Sequence, residues 1–217
     1  MRPFPTERLH GLHVLADDDP RWKHDPVAQA QAACRGGARV VQLRAKHAGD
    51  GEVLRWAAAI RAATREAGAL FVLNDRFDLA LAAEADGVHL GQEDLPPARL
   101  PPEARARLLI GRSTHDEAEL LAAREEPVDY VAFGPVFGTR SKACAHPARG
   151  LDALRRAAAL AGTRPLVAIG GIHAGNAGAA LGAGAHAVAV ISAVAGAPDP
   201  EAATRALVAA LGGGRPA

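Results

Sequence analysis

The sequence predicts an α/β fold of the (β/α)8 or TIM-barrel class, built as a single domain over residues 1–217. Three observations predict it: eight short apolar runs, Ala-rich stretches of helical spacing between them, and about 27 residues per unit in a chain of 217. The runs are apolar almost throughout, not alternating, so both sheet faces are expected to be covered and the strands parallel. The runner-up is an open doubly wound sheet, but no GxGxxG follows the first run to support a dinucleotide crevice.

Taken in order, Leu12–Leu15 reads as the first strand. Asp25-Pro26 then opens a helix over Val27–Arg35, which Gly36-Gly37 closes. Val40–Leu43 is the second strand, Val53–Ala67 a helix ended by Gly68, and Leu70–Leu73 the third strand. Only about a dozen residues separate it from the fourth, Gly87–Leu90. Pro96-Pro97 and Pro101-Pro102 mark a loop before the fifth, Leu108–Ile110. Ala118–Arg124 reads as a helix and Tyr130–Phe133 as strand six. Val136–Arg149 is the longest polar gap and is expected to be a flexible loop of functional size. Helix Leu151–Ala161 and strands Leu166–Ile169 and Ala187–Ile191 complete the count. The ends, 1–8 and 212–217, are expected to be flexible.

Composition excludes several function classes. Lys+Arg (25) and Asp+Glu (24) nearly cancel, which argues against a nucleic-acid partner. Aromatics make up 4%, too few for base-stacking platforms. No apolar run reaches membrane-spanning length, and Met1–Asp19 lacks the apolar stretch of a signal peptide. Cys34 and Cys144 stand apart without a CxxC and read as reduced thiols, so a cytoplasmic location is expected.

Uncommon polar residues gather just after strands, where barrels of this class carry their chemistry. Alternation puts Gln42, Arg44 and, if the strand extends that far, Lys46 on one face, an amide and two cations suited to a multiply charged anion; incidental charges on a solvated strand end are the rival explanation. Asn74-Asp75 follows strand three, and Gln92-Glu93-Asp94 follows strand four. Asp75 and Asp94 suit Mg²⁺, which takes one or two carboxylates plus water and phosphate oxygens. Helix and turn capping is the alternative for each. After strand six, Thr139, Ser141 and Lys142 offer hydroxyls and a cation, although the Walker spacing is absent. Gly170-Gly171 after strand seven, and Ile191-Ser192 after strand eight, fit the phosphate cradle of barrel enzymes; a tight turn and an N-cap are the plainer readings. Two anion sites on opposite sides of one mouth suggest group transfer between two phosphorylated small molecules. Among nine histidines there is no HExxH; His89 and His186 read as structural, and His115 with Asp116 as a helix start.

On Val41-Gln42-Leu43-Arg44-Ala45-Lys46, Asn74-Asp75-Arg76, Gly87 through Pro96, Asp129 through Lys142, Ala168 through Ile172, and Val190-Ile191-Ser192, the chain resembles the thiamine phosphate synthase family over nearly its whole length. The resemblance implies a transferase of thiamine biosynthesis that joins an aminopyrimidine methyl diphosphate to a thiazole phosphate and releases pyrophosphate. It implies that Gln42, Arg44, Lys46, Asn74 and Lys142 hold the diphosphate substrate, with Ser113 at the pyrimidine. It places Mg²⁺ on Asp75 and Asp94, and the thiazole phosphate on Thr139, Ser141, Gly171, Ile191 and Ser192. Arg44, Lys46 and Lys142 become the catalytic cations that stabilise the leaving group. Departures from the family pattern are Ala45 for glutamate, Gly138 for proline, Ser141 for threonine, and Arg112 where a small apolar residue is commoner. The related thiazole tautomerase, a non-catalytic phosphate sensor and a sugar-phosphate isomerase are the rivals. Pro135 and the diphosphate set weigh against the first, the paired carboxylates against the second, and the lack of a general base against the third.

Overall fold

The computed structural model describes residues 6–139 and 146–212. A 3-10 turn, Thr6–Leu9, leads into β1 (Gly11–Asp17), α1 (Pro26–Gly36), β2 (Val40–Arg44), α2 (Asp50–Ala67) and β3 (Leu70–Asn74). Then come α3 (Phe77–Ala82), β4 (Gly87–Leu90), α4 (Pro102–Arg107), β5 (Leu109–Thr114), α5 (Glu117–Glu125) and β6 (Tyr130–Phe133). The chain ends with α6 (Gly150–Ala161), β7 (Leu166–Ile169), α7 (Ala177–Gly182), β8 (Ala187–Val190), α8 (Ser192–Ala195) and α9 (Pro200–Ala210). The strands close in sequence order, β8 pairing with β1, and the pairs are parallel. That is the (β/α)8 barrel the spacing predicts.

Local chemistry sets the helix limits. Asp25, Asp116 and Asp199 accept the backbone N–H of Ala28, Glu119 and Ala202 at 2.8–3.0 Å, each such cap contributing about 1 kcal/mol. Gly37 and Gly68 end α1 and α2 in the left-handed conformation. The proline-rich stretch after β4 differs from the plain loop its sequence predicts. Pro97–Arg99 makes a 3-10 turn and Pro102 opens α4, because proline at a first helical position gives up an N–H that has no partner there anyway. Strand β5 also runs further than the apolar run indicated. Gly111 to Thr114 pair with Tyr130 to Phe133, so polar side chains are carried on a ladder-bonded segment.

Alternation divides each strand between two cores. One set, including Leu43, Phe71, Leu90, Ile110 and Val131, packs under the helices. The other, including Leu15, Val40, Leu70, Val72, Leu109, Tyr130, Val167 and Ala189, fills the barrel. The interior set continues upward into polar residues, and those form the floor and rim of the site. Of the ends expected to be flexible, 1–5 and 213–217 lie outside the described residues, and Thr6 to Arg8 belong to the 3-10 turn.

Candidate active site

Residues at the carboxyl ends of the strands enclose two adjoining cavities. One is a well lined by His13, Gln42, His89, Ser113, Tyr130, Thr139, Gly171, Ile191 and Ser192. The other is a polar trough lined by Arg44, Lys46, Asn74, Asp75, Asp94, His115 and His146. Ser113 and His115 line both. The described residues of the predicted set therefore meet at one mouth. Ser141 and Lys142, with Cys144, lie outside the described residues.

The trough is held by charge pairs. Arg44 Nη1 donates to Asp17 Oδ2 at 2.9 Å, and the Asp17 side chain is wholly buried at the end of β1. Lys46 stands in the loop after β2, folded there by Asp18, whose carboxylate accepts the N–H groups of Lys46, His47 and Ala48 at 2.8–2.9 Å. The Lys46 ammonium is bound to Asp75. Asp75 also accepts from the Asn74 amide, and its backbone sits at φ 66°, a left-handed position that costs a non-glycine residue energy. Burial raises the Asp75 pKa, and the neighbouring Asp94 carboxyl raises it further against the pull of Lys46. Asp94 Oδ2 in turn accepts the Gly91 N–H at 2.6 Å.

Two sequence expectations are corrected here. Gln42 does not share the trough with Arg44 and Lys46; it is buried on the wall of the well, one pleat deeper in the barrel. The two cations are not a cluster open to an anion alone, since each already carries a carboxylate partner. The helix-capping alternative for Asn74 and Asp75 is not what the structure shows: Arg76 stands at the cap of α3, with no side-chain cap bond. Asp94 does close a turn, through Gly91.

The well has an uncharged, hydrogen-bonded floor. Tyr130 is buried, and burial raises its pKa, so it stays a phenol and must place its proton on an acceptor. His89 Nδ1 lies 3.0 Å from that hydroxyl. His89 Nε2 lies 2.9 Å from Ser113 Oγ, and if the Tyr130 hydroxyl donates to Nδ1 it is Nε2 that donates to Ser113. In that tautomer the Ser113 hydroxyl accepts from His89 and keeps its own proton for another acceptor. Gly111 makes the contact possible, because a Cβ there would stand 2.2 Å from Tyr130 and 2.5 Å from His89. Below, His13 Nε2 bonds the Leu9 carbonyl at 2.6 Å, and burial depresses its pKa to about 4, so it is neutral at neutral pH.

Across the well, the chain after β6 lies on the end of β7, with Val136 and Phe137 N–H groups bonded to Ile169 and Gly170 carbonyls at 2.8 and 2.9 Å. Gly171, at φ 64°, would place a Cβ 2.4 Å from the Gly138 carbonyl, so only glycine allows this approach. Ser192 is the first residue of α8, and Ile191 occupies the cap position expected of it. His115, expected only to start a helix, also stacks on His146 at 4.3 Å and bonds Glu119 Oε2 at 2.9 Å.

Sequence reasoning missed Asp17, Asp18, Tyr130, Glu119 and His146. Asp17 and Tyr130 left usable signals. Asp17 keeps the inward register of Leu15 one pleat beyond the expected end of the first strand, and the chain's single tyrosine faces a glycine across the β5–β6 pair.

A closed barrel with a basic, carboxylate-bearing flank and a glycine-lined flank at the carboxyl ends of its strands has the architecture of a (β/α)8 enzyme. The family model described as thiamine monophosphate synthase matches residues 12–194, and the chain belongs to that family. It is 49% identical to the thiamine-phosphate synthase of Anaeromyxobacter dehalogenans, over 97% of this chain and 91% of the relative. The thiamine-phosphate synthase of Chlorobium luteolum is 46% identical over 92% of each chain. Among solved structures, the thiamine phosphate pyrophosphorylase from Pyrococcus furiosus superposes with a TM-score of 0.86 at 37% identity, covering 96% of this chain and 98% of that one. Among the described residues, no helix is long and apolar enough to cross a membrane.

Proposed function

We propose that the chain condenses an aminopyrimidine methyl diphosphate with a thiazole phosphate, forming thiamine phosphate and releasing pyrophosphate. The observation that carries this reading is the placement of Ser113 on both cavities, so that one ring can rest on it while its diphosphate lies in the trough. The thiazole phosphate then occupies the well between Thr139, Gly171, Ile191 and Ser192, facing the pyrimidine methylene.

In this reading Arg44, Lys46 and Asn74, with Lys142, bind the diphosphate, and Gln42 approaches the pyrimidine from the wall of the well. The carboxyl set fits a divalent cation. Two acids lie side by side, burial disfavours charge on Asp75, and among the described residues only Asp75 has a lysine partner. Asp75 and Asp94 would hold Mg²⁺, which would neutralise charge on the departing pyrophosphate. Arg44, fixed by Asp17, keeps its guanidinium facing the same oxygens, and Lys46 shifts from Asp75 to the phosphate as the trough fills. An electron-rich aminopyrimidine supports a benzylic-type cation, so no protein nucleophile is needed. A tautomerase would have no use for the carboxylate flank.

The test is pyrophosphate release from the two phosphorylated substrates with Mg²⁺. Asp75→Ala is expected to lower kcat at least 100-fold while the far-ultraviolet circular dichroism stays that of the parent. Near-parental turnover in this variant, or undiminished product in excess EDTA, overturns the assignment.

A further inference from the structure

Arg112 lies in β5, opposite Leu90 and Val131, on the face that packs against the helices. Its side chain is 7% exposed and lines neither cavity of the mouth. A guanidinium there is costly unless each end is satisfied. Nε faces Glu126 Oε2, just past the end of α5, at 3.3 Å, and Nη1 donates to the Gly91 carbonyl at 2.6 Å. Gly91 is the first residue of the turn that presents Asp94. Its carbonyl also accepts the Asp94 N–H at 3.3 Å, and its own N–H donates to Asp94 Oδ2 at 2.6 Å. Next in the chain, Gln92 Nε2 donates to the Ser113 carbonyl at 2.5 Å. Strand β5 therefore grips the turn twice, from the helix side through Arg112 and from the barrel side through Ser113.

We propose that Arg112 is a positioning residue for Asp94. By holding the Gly91–Gln92 peptide, it stops rotation about the one glycine of the turn and keeps the Asp94 carboxylate aimed at Asp75. The inference rests on the reading of Asp94 as a ligand of the divalent cation. A helix-facing position in a barrel strand is ordinarily apolar, and the paired arginine here is explained by what its far end grips.

The test is Mn²⁺ titration in the presence of inorganic pyrophosphate, followed by water-proton relaxation, on proteins whose folding is checked by thermal melts. Arg112→Met and Arg112→Gln each remove the bond to Gly91, and either is expected to weaken Mn²⁺ about tenfold, the scale of losing an outer-shell support. Arg112→Lys, with one donor still in reach, is expected to recover to within about threefold of the parent, and KM for thiazole phosphate is expected to stay unchanged in all three. Parental Mn²⁺ affinity in a folded Met or Gln variant overturns the role of Arg112, even if the melting temperature falls. Asp94→Asn separates the two claims. If it binds Mn²⁺ as the parent does, the metal assignment itself is overturned; if it binds weakly, that assignment stands and the arginine variants decide the rest.

Discussion

Tyr130→Phe removes one oxygen atom from the floor of the well and leaves shape and packing almost unchanged. The hydroxyl is 3.0 Å from His89 Nδ1, and both groups are buried. The variant loses that bond and strands the Nδ1 acceptor, which together costs about 2 kcal/mol. For a chain of this size the midpoint of thermal unfolding should fall by roughly 4–8 °C. The effect on turnover has a different cause. With no phenol to hold Nδ1 as an acceptor, the ring proton can move there, and Nε2 then takes the proton of Ser113 instead of giving one. Ser113 would offer the substrate a lone pair where it had offered a proton. Losing one neutral hydrogen bond at the reacting ring corresponds to about a 10- to 30-fold drop in kcat. Nitrogen-15 shifts of the imidazole report the tautomer, and pyrophosphate release reports turnover. A variant whose His89 still carries its proton on Nε2 refutes the tautomer argument. One whose tautomer switches while kcat stays within twofold refutes the role given to Ser113.

Acid should destabilise the fold through His13. Its pKa drops from 6.5 unfolded to about 4 folded, so between those values the unfolded chain takes a proton the native state refuses. Stability that is complete above pH 6.5 is then lost as pH falls towards 4, by about 3 kcal/mol. His13→Gln, which keeps a donor for the Leu9 carbonyl, should flatten urea-unfolding stability over that range, and parallel pH profiles for parent and variant would contradict the assignment. Asp17→Asn should loosen the Arg44 guanidinium at little change in shape, lowering kcat/KM for the diphosphate substrate about tenfold, or about 1.4 kcal/mol. An unchanged kcat/KM would mean that the Asp17 pair does not hold Arg44 for the diphosphate.

The barrel was legible because its signal repeats. Each β-branched run followed by an alanine-rich stretch repeats the same burial demand, and errors in single boundaries do not disturb the count. Strand β5 shows the limit: Gly111 to Thr114 are small or polar, and only pairing with β6 makes them strand. The rim residues were legible for a related reason, since strand ends are where polar side chains otherwise lack a purpose. The partners of those residues were not. Nothing in the sequence ties Asp17 to Arg44, 27 positions away, or Arg112 to Gly91, 21 positions away, because these bonds depend on closure of the barrel. The same distance dependence explains Gln42. Gln42 and Arg44 share a face of β2, which ends before Lys46, and one pleat of about 7 Å changes which cavity a side chain lines.

The two flanks also differ in how they hold charge, and the difference suits the order of events proposed. In the trough, cations balanced by carboxylates can re-pair as phosphate arrives, so charge is redistributed without being created. In the well, the lining groups include a phenol, a hydroxyl and the neutral imidazole of His13. A pyrimidine that becomes cationic as pyrophosphate leaves would be opposed by any positive charge beneath it. Two unit charges some 8 Å apart in a medium of effective dielectric about 20 repel by about 2 kcal/mol, close to a thirtyfold loss of rate. His13 escapes that penalty by refusing its proton until about pH 4. His13 is therefore more than a satisfied core residue: its neutrality is a condition on the chemistry proposed above it, and the burial that makes it costly in acid is what keeps it uncharged.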